Sequence, residues 1–471
     1  MSIEIFSRGA VQEVTGSRHF LKVETSVFQI DCGAFQGRRA ESLQKNKAIQ
    51  DDDLTIDTVV LTHAHYDHSG MLPLLLKRGY TGNIMATPAT EEIAGLILQD
   101  SARIQKRDIR YLHKRAKIEG ESFAGEVLYS EKDAADTLES FLGLPYHRPL
   151  WLNDQVKLTF YDAGHILGSA AAVFEIAEAG KEQIRIAYSG DLGRKNTPII
   201  KDPEQIPDPD YFILESTYGN RLHEPPEDAG AQLAKVVTET AARGGKVVIP
   251  AFAVERTQEI LYLMHLLQNE GKIPRIPIYV DSPMAVNATQ IFSRHPECFD
   301  DETNIAFTHR DEDPFGFSNL IYTPGTEDSK RINSVKGPAV IIASSGMCEA
   351  GRIRHHLIRL IEDPVNTILI VGYMARHTLG RKILEHQSPV RIFNNWYEVR
   401  AKVKKINAFS AHADFQEITE YVGMLDLDKL KKIFLVHGEE PAQKHLREHL
   451  LTAGVKEVEI VEYDKRYQLK R

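Results

Sequence analysis

Residues 19–33, HFLKVETSVFQIDCG, alternate apolar and polar positions with period two, the pattern of a hairpin that closes at Gly33 and delivers Asp31 to a loop. Residues 56–62, IDTVVLT, are a β-branched apolar run of the kind found in strands buried on both faces. A helical period follows from about Thr90 to Lys117, and strand-like runs recur at 156–162, 170–176 and 184–189. From about residue 210 the texture becomes a regular strand–helix alternation. YFILES leads to a helix over 227–243, KVVIPAF to a helix over 254–269, and PIYVDS, AVIIASS and TILIVGY follow in turn. That alternation predicts βαβ units on a parallel sheet. Residues 299–335 are polar and rich in Gly and Pro and read as irregular, and after about 395 strand and helix alternate again.

At 471 residues the chain is too long for one ordinary domain, and 42% hydrophobic with 26% charged residues is the composition of a folded protein. A net charge of -9 excludes a broadly basic surface, so any polyanion contact must be local. Three scattered cysteines, Cys32, Cys298 and Cys348, argue against a disulfide framework and for a reducing compartment. With no signal-like N-terminus and no apolar run long enough to span a bilayer, a cytoplasmic chain without membrane partners is expected.

Nineteen histidines change the picture. His63, His65, Asp67 and His68 fall within six positions directly after a buried strand. Four imidazole and carboxylate groups there pack a core poorly, because each needs a polar partner. As metal ligands they fit: alternate side chains of an extended segment point the same way, so His63 and His65 converge on one ion while Asp67 and His68, past a turn, face a second. Further ligand types sit at strand ends beside glycine in Gly164-His165, Gly190-Asp191 and His437-Gly438. Asp31 reads as a group that orients a ligand from behind.

HAHYDH, with GH at 164–165, SGD at 189–191 and VHG at 436–438, resembles the metallo-β-lactamase superfamily. The resemblance implies two Zn2+: His63, His65 and His165 on one, Asp67, His68 and His437 on the other, and Asp191 on both. ILESTYG with Glu215, PAFAVERTQE, YVDSPMA, ASSGM and FSAHAD with His412 further resemble the β-CASP nucleases, among them compact bacterial members and the mRNA 3′-end processing endonuclease subunit. The implied fold is α/β, a metallo-β-lactamase αββα sandwich (1–209 and 395–471) carrying an inserted parallel-sheet β-CASP domain (210–394). The implied activity is zinc-dependent RNA hydrolysis by a metal-bridged hydroxide, leaving 5′-phosphate and 3′-hydroxyl ends. Asp67, Glu215 and His412 are the implied catalytic residues, with His412 oriented by Glu215 and protonating the leaving oxygen. His437 at the third motif places the chain with RNA-cleaving members, and a homodimer is the family-level expectation. Endonuclease action is implied, with 5′–3′ exonuclease action left open. A phosphodiesterase acting on DNA or a small molecule, or a silent RNA-binding subunit, is the alternative.

RNA contacts are expected at Ser345, Ser410 and Ala411, and at Arg400, Lys402 and Lys404, which strand alternation places on one side before His412. GYMARHTLGR departs from a family segment expected to read GYQAEGTLGR, and Arg376 there is a candidate phosphate contact. Arg103, Lys106, Arg107, Arg110, Lys114 and Lys117 recur at three- and four-residue spacing on one helix face, for which a solvated surface is the simpler explanation.

Overall fold

The computed structural model describes residues 1–37, 39–48, 55–119, 125–178, 180, 182–225, 228–309, 313–372, 374–375 and 377–470. It divides into two compact units, one formed by Met1–Lys195, Asp202–Leu222 and His412–Arg471, the other by Asn196–Lys201 and His223–Ala411.

Two seven-stranded sheets form the first unit among the described residues. One begins as an antiparallel meander, Ile3–Gly9 against Arg18–Val23 against Ser26–Ile30. It continues in parallel through Thr58–Val60, Asn83–Ala86 and Phe141–Gly143. The other pairs Val156–Asp162, Ala170–Ile176 and Ile184–Tyr188 antiparallel, then runs parallel through Tyr211–Leu214, Lys432–Leu435 and Val458–Ile460. Leu21, Phe28 and Val60 of the first sheet share one buried cluster with Leu158, Phe160 and Phe174 of the second, so the sheets pack face to face. The far face of the second sheet buries Val173, Phe212 and Leu435 under Ile418, Val422 and Leu446 of helices Phe415–Gly423 and Glu440–Thr452. The short helices Leu72–Lys77 and Glu131–Leu138 and the long helix Pro88–Glu119 lie with the first sheet.

The second unit is built on a parallel sheet in the order Leu320–Tyr322, Ile278–Val280, Ala339–Ala343, Lys246–Pro250, Thr367–Ile370, Lys402–Lys405. Beyond half-buried Lys246 its central strands are buried, which explains the apolar runs Val247–Pro250, Ala339–Ala343 and Ile368–Ile370. Two expectations shift here. Lys402–Lys405 pairs in parallel with Thr367–Ile370, so the second unit runs on to Ala411 rather than ending at 394, and on the other side it begins at His223 rather than 210. Three lysines and one half-buried valine on an edge strand carry too little hydrophobic signature to say which sheet they join. The stretch expected to be irregular, 299–335, contains helices Asp301–His309 and Thr326–Arg331 and the strand Leu320–Tyr322. Both helices start on acids, and Thr326–Arg331 ends on Lys330 and Arg331, which suits the helix dipole in elements too short for a periodic pattern.

The three cysteines are buried, and none of them forms a disulfide with a described residue. No helix among the described residues is long and apolar enough to cross a membrane.

Candidate metal centre

Strand Thr58–Val60 ends three residues before His63, and the chain stays extended to His65, which enters the short helix Tyr66–Ser69 at φ -52°, ψ 147°. The extended piece carries His63 and His65; the helical turn carries Asp67 and His68. His63 Nε2 lies 3.1 Å from His65 Nδ1, and His165 Nε2 lies 3.2 Å from the same atom. Asp191 Oδ2 stands 3.3 Å from His63 Nε2 and 3.6 Å from His165 Nε2. A second group forms alongside: His68 Nε2 is 3.2 Å from His437 Nε2, and His437 Nε2 is 3.9 Å from Asp67 Oδ2. Asp191 Oδ1 is 3.4 Å from His68 Nε2 and 3.4 Å from His437 Nδ1, so one carboxylate faces both groups.

The turns that bring these side chains in need unusual backbone. Gly190 lies at φ 57°, and a Cβ there would sit 2.8 Å from the Thr62 Cβ; His437 itself adopts φ 50°. A left-handed conformation at a residue with a Cβ is costly and persists where the surroundings fix it. Asp31, at φ 60°, accepts hydrogen bonds from the Thr62 amide (2.8 Å) and hydroxyl (2.9 Å), and its Oδ2 lies 2.7 Å from His68 Nδ1. Thr217 Oγ1 stands 3.0 Å from His437 Nδ1 in the corresponding place. Sequence reading singled out Asp31 but not Thr62 or Thr217; both sit inside motifs it quoted, with nothing to mark their hydroxyls as imidazole partners.

Burial pulls the imidazoles of His63 and His165 below their ordinary range and that of His65 to about 3, which keeps them neutral with lone pairs to donate. For Asp191 burial acts upward, but His437, His68 and His63 together outweigh it and hold the carboxyl well below the usual carboxylate range. Asp191 Oδ1 is buried without a hydrogen bond to any described residue. An orphaned carboxylate oxygen between two sets of imidazoles is costly for a protein alone and is satisfied by cations. Nitrogen ligands with a few carboxylates suit zinc. The donor set therefore fits a pair of metal ions.

Beside these groups, Glu215 is fully buried, with its carboxylate accepting from the Leu192 amide at 2.6 Å and the Thr217 amide at 3.2 Å. His412 Nδ1 lies 3.1 Å from Glu215 Oε1 and 3.8 Å from Asp191 Oδ2. Burial opposes charge on His412, but Glu215 and Asp191 outweigh it and raise the imidazole to about 9. At 20% exposure the His412 side chain reaches solvent, whereas His63 and His165 do not.

The family models follow the same order along the chain: the metallo-β-lactamase superfamily matches residues 20–168, the Beta-Casp domain 257–383, and the Zn-dependent metallo-hydrolase RNA specificity domain 396–461. Ribonuclease TTHA0252 of Thermus thermophilus is 35% identical over 432 residues, 92% of either chain. The chain belongs to the β-CASP ribonucleases of the metallo-β-lactamase superfamily. Other members similar to it are the transcription termination factor FttA of Methanosarcina mazei, 32% identical over 93% of this chain and 67% of that one, and the endoribonuclease YSH1 of Saccharomyces cerevisiae, 29% identical over 96% of this chain and 56% of that one.

The RNA contacts expected of this β-CASP chain lie in its second unit. Ser345 is occupied locally, its hydroxyl accepting from the Ala350 amide at 3.1 Å, and Ser410 and Ala411 are half-buried. Arg400, Lys402 and Lys404 are exposed, with Ala401 buried and Val403 half-buried between them, as strand alternation expects; Lys405 is exposed as well. Arg376 lies outside the described residues. His377, where the family segment was expected to carry glycine, adopts φ 70°, a conformation that glycine takes at no cost.

Proposed function

We propose that this β-CASP chain is a two-zinc ribonuclease that cuts RNA phosphodiester bonds internally and leaves 5′-phosphate and 3′-hydroxyl ends. One observation carries the reading: two ligand groups share the single buried carboxylate of Asp191, and the Glu215–His412 pair stands against the same carboxylate. The first group is His63, His65 and His165; the second is Asp67, His68 and His437. Zinc held there would supply positive charge to the phosphoryl oxygens and lower the pKa of water at the site. The protein's own share of the chemistry is positional and protonic. Asp31 and Thr217 hold the His68 and His437 rings in place, so neither turns when substrate arrives. Glu215, fixed by two backbone amides, orients His412 and favours its protonated form. His412 then delivers a proton to the departing 3′ oxygen, which produces a 3′-hydroxyl. The names of the relatives, a ribonuclease and an endoribonuclease, support RNA as the substrate.

The test pairs metal content with cleavage of an RNA and a DNA of one sequence. Wild-type protein is expected to hold two zinc ions and to cut RNA in preference to DNA, with activity lost to a chelator. His63→Ala should lose both zinc and cleavage. His412→Ala should keep its zinc while kcat falls by about 10²–10⁴. Cleavage at the wild-type rate by His412→Ala would remove the proton-donor role, and preferential cutting of DNA would sink the RNA assignment.

A further inference from the structure

The helix Pro88–Glu119 is 32 residues long, roughly 48 Å, and its two halves differ in kind. The first half is core: Ile93, Ala94 and Leu98 are buried. Its entrance is fixed to the candidate metal centre, because the Thr87 and Thr90 hydroxyls donate to the Gly168 carbonyl at 2.6 and 2.8 Å, three residues after His165. The second half leaves the core. Between Arg103 and Ile118 seven Lys and Arg stand against Asp108 alone, a net +6 over sixteen residues of a chain whose total is -9. Arg103 and Lys106 are tied down by Glu131, at 3.3 and 2.8 Å. Arg107, Arg110, Lys114 and Lys117 are exposed and form no ion pair with a described residue. At 100° per residue Arg103, Arg107, Arg110 and Lys114 fall within a 60° sector, a ridge of cations roughly 5.5 Å apart along the axis. Directly beside that ridge runs a line of exposed side chains at seven-residue spacing, Ile104, Tyr111 and Ile118, with Tyr111 64% exposed.

Like charges concentrated on one helix face repel one another, a cost for which no ion pair with a described residue gives compensation at Arg107, Arg110 and Lys114. A polyanion supplies it. Tyr111 beside the ridge adds a surface on which a base can stack. A second copy of this helix would bring the same charge and is disfavoured. We infer that Arg107, Arg110 and Lys114 form a secondary RNA-docking ridge that holds single-stranded RNA at a distance from the bond being cut. Arg107 stands nineteen residues along the helix, roughly 28 Å, from the turn that anchors the His165 loop. The ridge therefore selects for length: a long RNA reaches both places, and a short one engages the centre alone. This deepens the ribonuclease reading above and rests on it.

The experiment compares full-length wild-type protein with Arg107→Gln/Arg110→Gln/Lys114→Gln, using an unstructured forty-nucleotide RNA and a five-nucleotide RNA. Binding is measured by fluorescence anisotropy with chelator present to stop turnover, and cleavage in parallel with zinc. Losing three phosphate contacts should weaken binding of the long RNA by about tenfold or more near 0.1 M salt and lower the slope of log K against log salt by about 2. KM for the long RNA should rise with kcat unchanged, and cleavage of the five-nucleotide RNA should not alter. Arg107→Lys/Arg110→Lys keeps the charge and should keep the long-RNA affinity. Equal loss on both RNAs, or unchanged affinity and salt slope for the long one, overturns the proposal, and the latter assigns the ridge to an acidic protein surface instead. A wild-type protein that binds long RNA through the ridge yet cuts neither RNA would instead refute the ribonuclease reading.

Discussion

Asp31 stands behind the ligands, at φ 60°, with its carboxylate divided between the Thr62 amide and hydroxyl and the His68 ring. The Thr62 bonds fix the carboxylate, and the carboxylate fixes the imidazole. Asp31→Asn keeps a residue tolerant of the left-handed conformation and an acceptor for Thr62, but removes the charge that holds His68 Nδ1. Zinc affinity should fall by about 10- to 100-fold with little loss of fold. Competition against a chromophoric chelator measures this, and unchanged affinity would show that His68 is positioned by packing alone. Thr217→Val should act in the same direction on His437, more weakly, because a hydroxyl is a weaker partner than a carboxylate.

The strand Ile278–Val280 delivers Asp281 to the end of the second unit's sheet. This fully buried carboxylate accepts from Thr323 (2.8 Å), Ser329 (2.6 Å) and Arg352 (2.7 Å), and meets His356 Nε2 at 2.7 Å. The partners come from the loop after Leu320–Tyr322, from helix Thr326–Arg331 and from helix Ile353–Leu360 with its cap. One residue thus gathers elements whose own sequences are too short to predict. Burial alone would raise the Asp281 carboxyl, but the bonds from His356, Ser329, Thr323 and Arg352 more than compensate and bring it to about 2. A carboxyl lowered on folding stabilises above its unfolded pKa, near 3.9, and loses that contribution as pH falls toward 2. Asp281→Asn should therefore destabilise the protein by about 2–3 kcal/mol near neutral pH. In urea titrations the gap between variant and wild type should close between pH 4 and pH 2; a gap that stays constant over that window would rule out the ionised network as its source.

For the molecule as a whole, every candidate metal ligand belongs to the first unit, although the ligands span the chain from His63 to His437. Ions that bind the folded unit only stabilise it by mass action, by about 2.7 kcal/mol at a hundredfold excess over Kd. The two tryptophans report separately, Trp151 from the first unit and Trp396 from the second. Chelation should lower the unfolding midpoint seen by Trp151 in Trp396→Phe and leave that seen by Trp396 in Trp151→Phe in place. Equal shifts in both would mean that metal stability is shared across the units. Charge at this scale is also unevenly spread: the -9 of the full chain coexists with +6 on half of one helix.

The sequence by itself determined whatever depends on neighbours in the chain. HAHYDH puts four donors into one extended-then-helical turn, and its spacing alone splits them into two pairs. The continuous apolar runs at 247–250, 339–343 and 368–370 announce a buried parallel sheet, because only strands covered on both faces can afford them. Only tertiary structure decided what depends on partners far along the chain. It brought Asp191 between the two imidazole groups, set Glu215 against His412 across 197 residues, and turned the Thr62 and Thr217 hydroxyls toward ligand rings. It assigned Lys402–Lys405 to the second unit's sheet through pairing that three lysines and a valine do not encode. It also separated Arg103 and Lys106, neutralised by Glu131, from the cations beyond them, which the helical period had placed on a single face. A motif records which groups are present; the fold sets the distances between them, and those distances carry the chemistry.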